Sequence, residues 1–239
     1  DLIYDDNYND SDISPIYLLQ DNIDNIDITA DSNNEIYSLA AGIGAAGTFA
    51  AAGSAVTTEL NTVTSTYINS DNSNITEIKA DKKLNIESTE INQIRSEAGA
   101  LSFSGTAAIG GSYNKVQLNN DVNSYVGSYA EIIVGNEKYK EGEMNVISDL
   151  TNKIDSTAVG GAAGVLGGGV GATYLNLNDN GNVTSYLDTN SNFENIASVD
   201  IRAESLTRGI DTDKVQARAV GAGAGLYLGA GGSKSDINI

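Results

Sequence analysis

Hydrophobic and polar residues alternate along much of the chain with a period of two. In residues 215–232, VQARAVGAGAGLYLGAGG, every second position from Val220 to Leu228 is apolar, and 54–68, SAVTTELNTVTSTYI, alternates similarly. Successive side chains of a β-strand point to opposite faces, so this period predicts strands. Asn, Asp and Gly clusters at 69–74, 178–181 and 188–192 favour tight turns between them. The pattern predicts an all-β chain of many short strands.

Three segments of the chain resemble one another. Residues 53–68, 110–126 and 169–187 each run from glycines through small and polar residues to a tyrosine followed by an aliphatic residue. The tyrosines are Tyr67, Tyr125 and Tyr186. Their spacing, about 58 to 61 residues, indicates a solenoid built from repeats. We interpret the tyrosines as stacked structural positions, with glycan stacking as the alternative.

A second element recurs before each of these segments, at 27–36, 77–86, 145–154 and 200–210. The first aliphatic positions of this element align as Ile28, Ile78, Val146 and Ile201. Its last aliphatic positions align as Ile36, Ile86, Ile154 and Ile210. The unequal spacing is assigned to an insertion at 127–143, because insertions in repeat proteins occur in loops. This alignment makes 22–239 the repeat region and 1–21 an acidic lead-in or a preceding coil.

A parallel β-helix fits these repeats, because its coils stack about 4.8 Å apart and a narrow lumen favours glycine and alanine. With roughly 20 residues per coil, each repeat would hold about three coils, and the chain about a dozen coils in a rod of about 55 Å. Stacked asparagines at the corners would bond along the axis.

The uncharged stretch 157–178 permits another interpretation. It is long enough to cross a bilayer, and Gly160 and Gly164 have the GxxxG spacing of membrane helices. However, each glycine disfavours helix by about 1 kcal/mol relative to alanine, and the equivalent block of another repeat contains Glu97. These observations favour a solenoid wall over a membrane helix.

Charge and composition narrow the function. Thirteen basic against 32 acidic residues give a net charge of −19, which repels phosphate backbones, so no nucleic-acid partner is expected. The chain has no cysteine and no histidine, which removes disulfides, thiolate nucleophiles and the commonest general base. The glycine-rich segments lack a Walker lysine–serine pair, so they are interpreted as steric spacers. No enzyme activity is predicted.

Calcium is the one cofactor that the sequence suggests. Asp5, Asp6, Asp10 and Asp12 begin like an EF-hand loop, but the sixth position is Asp10 instead of glycine and the twelfth is Ile16 instead of glutamate. Residues 231–239, GGSKSDINI, resemble one calcium-binding nonapeptide with Lys234 in place of a glycine. The alternative is a solvated acidic surface.

The Gly/Ala blocks, such as AVGGAAGVLGGGVGATYLNLNDNGNVTSYL at 158–187, resemble the passenger repeats of large bacterial exoproteins of the leukotoxin and filamentous-haemagglutinin type, exported by two-partner secretion. The resemblance covers residues 22–239. It implies a right-handed parallel β-helix, secreted or attached to the bacterial surface after passage through an outer-membrane transporter. Because the chain begins DLIYDDNYND, without a starting Met, it is expected to be a segment of a longer or processed protein.

The function implied is adhesive: a rod that projects binding regions towards proteins or glycans of a host cell or neighbouring cell. Two alternatives remain. One is a subunit or segment of an extracellular filament that assembles end to end, and the other is a polysaccharide-degrading β-helix enzyme.

Overall fold

A computed structural model describes residues 23–137, 140–165 and 168–239, in which β-strands dominate and no helix occurs. Within the strands, inward residues are mainly apolar or small, and outward residues are mainly polar except where glycine and alanine prevail. The strands are β1 Asn25–Ala46, β2 Phe49–Ile68, β3 Glu77–Ala80, β4 Lys83–Ser104, β5 Ala107–Val126, β6 Glu131–Val134, β7 Gly142–Gly164, β8 Gly168–Asp179, β9 Asn182–Leu187, β10 Asn192–Glu194, β11 Ile196–Arg208, β12 Gln216–Gly225 and β13 Leu228–Asn238.

The strands form three parallel sheets, which are the three sides of a solenoid. Wall A contains β1, β4, β7, β11 and β12; wall B contains β2, β5, β8, β9 and β13; and a short base contains β3, β6 and β10. Each coil runs along wall A, turns back along wall B and, in the first three coils, crosses the base. The predicted class, an all-β parallel β-helix, is confirmed.

The predicted size of a coil is wrong. Ile28 pairs with Ile86, and Ile86 with Val146, so one sequence repeat makes one coil. The described residues therefore form four coils, with about 14 Å between the first and the last. Each wall strand has 20 or more residues in the first two coils, which makes it about 70 Å long. The molecule is a flat blade and not the long, narrow rod expected from short coils.

The alignment of the second recurring element also needs correction. The structural counterpart of Ile28 is Ile86 and not Ile78, which lies in the short base strand β3. Segment 127–143, assigned above to an insertion, supplies base strand β6, which pairs with β3 and β10. The shorter spacing to Ile201 arises after the base, because one residue connects β10 to β11, whereas seven connect β6 to β7. A loop at 209–215 then divides wall A of the fourth coil into β11 and β12.

Two apolar clusters fill the lumen. One lies next to the base and includes Leu84, Ile86, Ile132 and Met144, and the other lies midway along the walls and includes Ile94 and Leu177. Between them is a polar layer, which the alternation of apolar and polar residues did not predict.

The polar layer is centred on Glu90, which is completely buried. Its carboxylate accepts hydrogen bonds from the hydroxyls of Thr62 and Thr64, at 2.5 and 2.8 Å, and from the side-chain amides of Asn92 and Asn120, both at 2.7 Å. Buried polar groups are tolerated when they are hydrogen-bonded in this way. The layer therefore separates the two apolar clusters without leaving the carboxylate unpaired.

An asparagine ladder crosses the same layer from coil to coil. Asn34 donates to Asn92 and Asn92 to Asn152, each at 2.9 Å, and Asn152 donates to the carboxylate of Asp179. The hydroxyl of Thr207 donates to Asp179 at 2.7 Å and extends the ladder to the fourth coil. The sequence predicted that asparagines would hydrogen-bond along the axis at the corners of the coils. In the structure the asparagine ladder instead faces the lumen, between the two walls.

The far end of the blade is a wedge in which the two walls converge. We call it the glycine wedge; it comprises residues 41–55, 99–113, 159–165, 168–174 and 220–233 and contains no charged residue. The walls approach so closely that a Cβ added to inward-facing Gly110 would overlap the carbonyl oxygen of Gly161, and one added to Gly160 would lie 2.5 Å from that of Ala172. Close backbone approach therefore explains the Gly/Ala blocks.

Stretch 157–178 lies in β7 and β8 apart from residues 165–167. No helix in the described part of the chain is long and apolar enough to cross a membrane.

Candidate binding face

The outer surface of wall B presents a row of aromatic side chains at the edge of the glycine wedge. Tyr113 and Tyr174 are register partners on β5 and β8, and their rings stack with centroids 5.6 Å apart and planes 13° apart. The ammonium group of Lys234, on β13, lies 5.4 Å from the centroid of Tyr174. Since a cation near the face of an aromatic ring is attracted to it, Lys234 extends the row to the fourth coil.

An open groove of about 670 Å³ lies beside this row. Its floor is formed by residues without long side chains, Gly53, Gly111 and Ala172, which are register partners on three coils. A Cβ at Gly53 would meet nothing closer than 3.9 Å, so the outer surface is open there. The floor of the groove is thus flat, and tyrosine rings border it on one side.

Hydrogen bonds hold the end of the row in place. The Tyr174 hydroxyl donates to Asp236 at 2.7 Å, and Lys234 donates to the same carboxylate at 2.8 Å. The hydrogen bond to Asp236 raises the pKa of Tyr174, and the bonds from Lys234 and Tyr174 lower the pKa of Asp236. Tyr174 therefore stays a neutral hydrogen-bonding group at ordinary pH.

A second aromatic row lies near the base end of wall B. Tyr67, Tyr125 and Tyr186 are register partners, with ring centroids 5.1 and 4.9 Å apart and planes 8° and 3° apart. Burial raises the pKa of Tyr125, and the neighbouring tyrosines add to this. The outer rings remain about half exposed, Tyr67 at 50% and Tyr186 at 43%. The row is thus both a structural ladder and an accessible aromatic edge.

Amide side chains occupy the surface between the two aromatic rows, which are about 40 Å apart along the strands. Asn119 donates to Asn61 at 2.7 Å and accepts from Asn180 at 3.1 Å, and Asn238 donates to Asn178 at 2.9 Å. The outward charged residues of the wall B strands are few: Glu59, Lys115, Asp121, Lys234 and Asp236. Although the whole chain carries a net charge of −19, the charges on this face nearly cancel, and the face is close to neutral.

Aromatic rings beside amides and hydroxyls suit neutral, hydroxyl-rich ligands. An aromatic ring provides apolar contact area at low conformational cost, and amides donate and accept hydrogen bonds at once. Flat sugar rings have this combination of an apolar face and polar edges. Such a surface can hold a sugar by stacking and hydrogen bonding alone, without a chemical reaction.

The buried acids have no access to such a ligand. Glu90 is fully enclosed by its four donors, and Asp179 faces the lumen. In the ranges that the structure describes, no group of three acidic residues is placed to hold a metal ion. The calcium candidates Asp5, Asp6, Asp10 and Asp12 lie outside the described residues, and Asp236 of segment 231–239 is engaged by Lys234 and Tyr174.

Sequence comparison of the repeats identified only one of the two aromatic rows. It aligned Tyr67, Tyr125 and Tyr186, which the structure places side by side. It missed Tyr113 and Tyr174, although their separation along the chain equals that of Tyr125 and Tyr186. The signal was hidden because the first coil has Ala55 at that position and the fourth has Lys234.

Comparisons with protein-family models, curated proteins and solved structures found no match to this chain.

Proposed function

We propose that this chain is a structural and adhesive segment of a secreted or surface-attached bacterial exoprotein, and that it binds neutral glycans of host or neighbouring cells through wall B. The observation that carries the proposal is the Tyr113–Tyr174 row beside its glycine-floored groove. The location and the export route rest on the repeat pattern, which resembles that of two-partner-secretion exoproteins.

The solenoid supports this function physically. Each coil adds one residue to every outward row, so a ligand that lies along the stacking axis meets one side chain of a row at intervals of about 4.8 Å. Several weak contacts on a rigid face then add without the entropic cost of ordering loops. The backbone ladders of the walls supply that rigidity.

Substitution of the tyrosines tests the proposal. Wild-type protein is expected to bind a subset of immobilised neutral polysaccharides, and Tyr113→Ala with Tyr174→Ala is expected to weaken that binding at least tenfold, because a stacking contact contributes about 1 kcal/mol or more per ring. Binding is measured by surface plasmon resonance over a panel of neutral and acidic glycans.

Tyr37→Ala is the matched control, because Tyr37 is 60% exposed but lies on wall A. It should leave glycan binding unchanged. Equal loss in the control, or no binding of the wild type to any glycan, contradicts the assignment. Release of shortened sugars by the wild type would instead favour a polysaccharide-degrading enzyme.

A further inference from the structure

The glycine wedge is apolar on its outer faces as well as between its walls. Its tip is the end at which each wall A strand turns back into a wall B strand. From the row of Val159 on wall A, and from the row of Gly111 on wall B, every outward strand residue up to the tip is glycine, alanine or a larger apolar residue. Solvent-facing strand positions are ordinarily polar, so the wedge departs from the rest of the molecule.

The larger of these side chains form an exposed apolar patch. Five of them belong to the two middle coils and are between 38% and 50% exposed: Leu101, Phe103, Ile109, Val159 and Val170. Their strands are paired on both sides, so the exposure belongs to the outer faces of the walls. Contiguous exposed apolar patches mark surfaces that contact proteins or membranes.

The uncharged surface ends at the same distance from the tip on both walls. Arg218 lies seven residues before the end of β12 and Lys234 six residues after the start of β13, so both are about 20 Å from the tip. Glu97 occupies the row of Arg218. The border between charged and uncharged surface therefore runs straight across both walls, as a planar boundary between lipid and water requires.

The shape of the wedge fits a lipid layer better than a second protein. Each outer face covers three rows and four coils, about 20 Å by 20 Å or about 400 Å², whereas a stable protein interface buries about 800 Å² of each partner. The two faces also point in opposite directions, so a flat protein surface would cover only one of them. Lipid chains can surround a projecting edge and cover both.

The middle coils meet the condition for entering hydrocarbon. Backbone N–H and C=O groups in lipid must be hydrogen-bonded within the protein, and β4 pairs with β1 and β7 while β5 pairs with β2 and β8. Leu101 and Ile109 lie within about 10 Å of the tip. The hydrocarbon of one leaflet is about 15 Å thick, so these rows can enter one leaflet without crossing the bilayer.

We propose that the tip of the glycine wedge inserts into one leaflet of a zwitterionic lipid bilayer. The chain carries a charge of −19, which repels anionic headgroups, so anionic lipid is expected to weaken the binding. The proposal goes beyond glycan binding and does not depend on it. Tyr113 and Tyr174 lie about 20 Å from the tip, where they remain outside the hydrocarbon.

A matched pair of leucines tests the insertion. Leu101 and Leu206 face outward on wall A and are 44% and 45% exposed, but Leu206 lies outside the wedge. Leu101→Asp is expected to weaken binding to phosphatidylcholine vesicles at least tenfold, because the new carboxylate would enter lipid. Leu206→Asp adds the same charge and is expected to change binding less than twofold. Flotation with the vesicles measures the bound fraction.

Tryptophan fluorescence tests the depth of insertion, since the chain has no tryptophan of its own. Phe103 lies at the tip, whereas Tyr37 is 60% exposed on wall A outside the wedge. Vesicles of phosphatidylcholine with brominated acyl chains are expected to quench the Phe103→Trp variant and to leave the Tyr37→Trp variant unquenched.

Three outcomes would overturn the proposal: no flotation of the wild type with phosphatidylcholine vesicles, equal loss of binding in the two aspartate variants, or equal quenching of the two tryptophan variants. Self-association that Leu101→Asp abolishes, without vesicle binding, would instead assign the wedge to a second copy. The vesicles carry no glycan, and a variant with Tyr113→Ala and Tyr174→Ala should still bind them. Failure of glycan binding and failure of membrane insertion are therefore distinguishable.

Discussion

Replacing Gly110 with alanine is expected to lower the free energy of unfolding by about 3 kcal/mol, whereas the same change at the adjacent Gly111 is expected to cost nothing. Gly110 faces the opposite wall, and its new Cβ would overlap the backbone oxygen of Gly161. Since backbone cannot rotate away as a side chain can, the two walls would have to separate along the wedge.

Gly111 is the control because it differs from Gly110 only in the direction it faces. Its Cβ would lie 3.5 Å from the Ala172 oxygen, an ordinary contact, and alanine reduces the freedom of the unfolded chain. Urea unfolding followed by circular dichroism compares the two variants with the wild type. Equal stability of both variants would show that the walls do not converge at this point.

The Glu90→Leu variant is expected to lose about 3 to 5 kcal/mol of stability, because four hydrogen-bond donors, three of them buried, would lose their common acceptor. Leucine is apolar like the clusters on either side of Glu90. If hydrophobic burial alone stabilised the lumen, the substitution would therefore raise the stability. The sign of the effect therefore tells whether the polar layer is a hydrogen-bonded unit.

Glu90→Gln separates hydrogen bonding from shape. Glutamine keeps one acceptor oxygen and the size of glutamate, so it is expected to lose only about 1 to 2 kcal/mol. The exposed Glu59→Gln should change stability by less than about 0.5 kcal/mol. The polar layer is contradicted if Glu90→Leu unfolds at the same urea concentration as Glu59→Gln.

Alternation and repeat spacing predicted the class of fold from the sequence. Inward positions fall on every second residue, as Ile28 and Ile36 do in β1. Tyr67, Tyr125 and Tyr186 mark the length of the repeat. These signals depend on local side-chain direction and on spacing along the chain, both of which are visible in one sequence.

The size of the coil could not be predicted in the same way. Polar residues within a strand, such as Thr62, Glu90 and Asn92, interrupt the alternation of apolar and polar residues, so the full length of β2 and β4 is not visible in the pattern. In the structure they face the lumen and satisfy one another, so the strands continue through them. This pairing joins residues of different walls and coils, which alternation along one strand does not reveal.

A coil as long as a whole sequence repeat changes the functional expectation. The chain contributes little length along the stacking axis, and most of its residues build two wide walls. Such a shape favours presentation of a surface over projection to a distance, which is why wall B is central to the proposed adhesion.

The alignment of every row on wall B depends on one repeat forming one coil. Asn61 and Asn119 are 58 residues apart, and their side chains are hydrogen-bonded at 2.7 Å on adjacent coils. Asn180 lies one coil further, where it bonds Asn119, so about 9.6 Å separates it from Asn61. A disulfide requires Cα atoms closer than about 7 Å.

The most direct test is therefore disulfide formation in two double-cysteine variants, measured by mass spectrometry after mild oxidation. We expect Asn61→Cys with Asn119→Cys to form an intramolecular bond and Asn61→Cys with Asn180→Cys to stay reduced. If coils had about 20 residues, Asn61 and Asn119 would be about 14 Å apart. If the variant with Asn61→Cys and Asn119→Cys stays reduced, one repeat does not form one coil, and the tyrosine rows on wall B are contradicted as well.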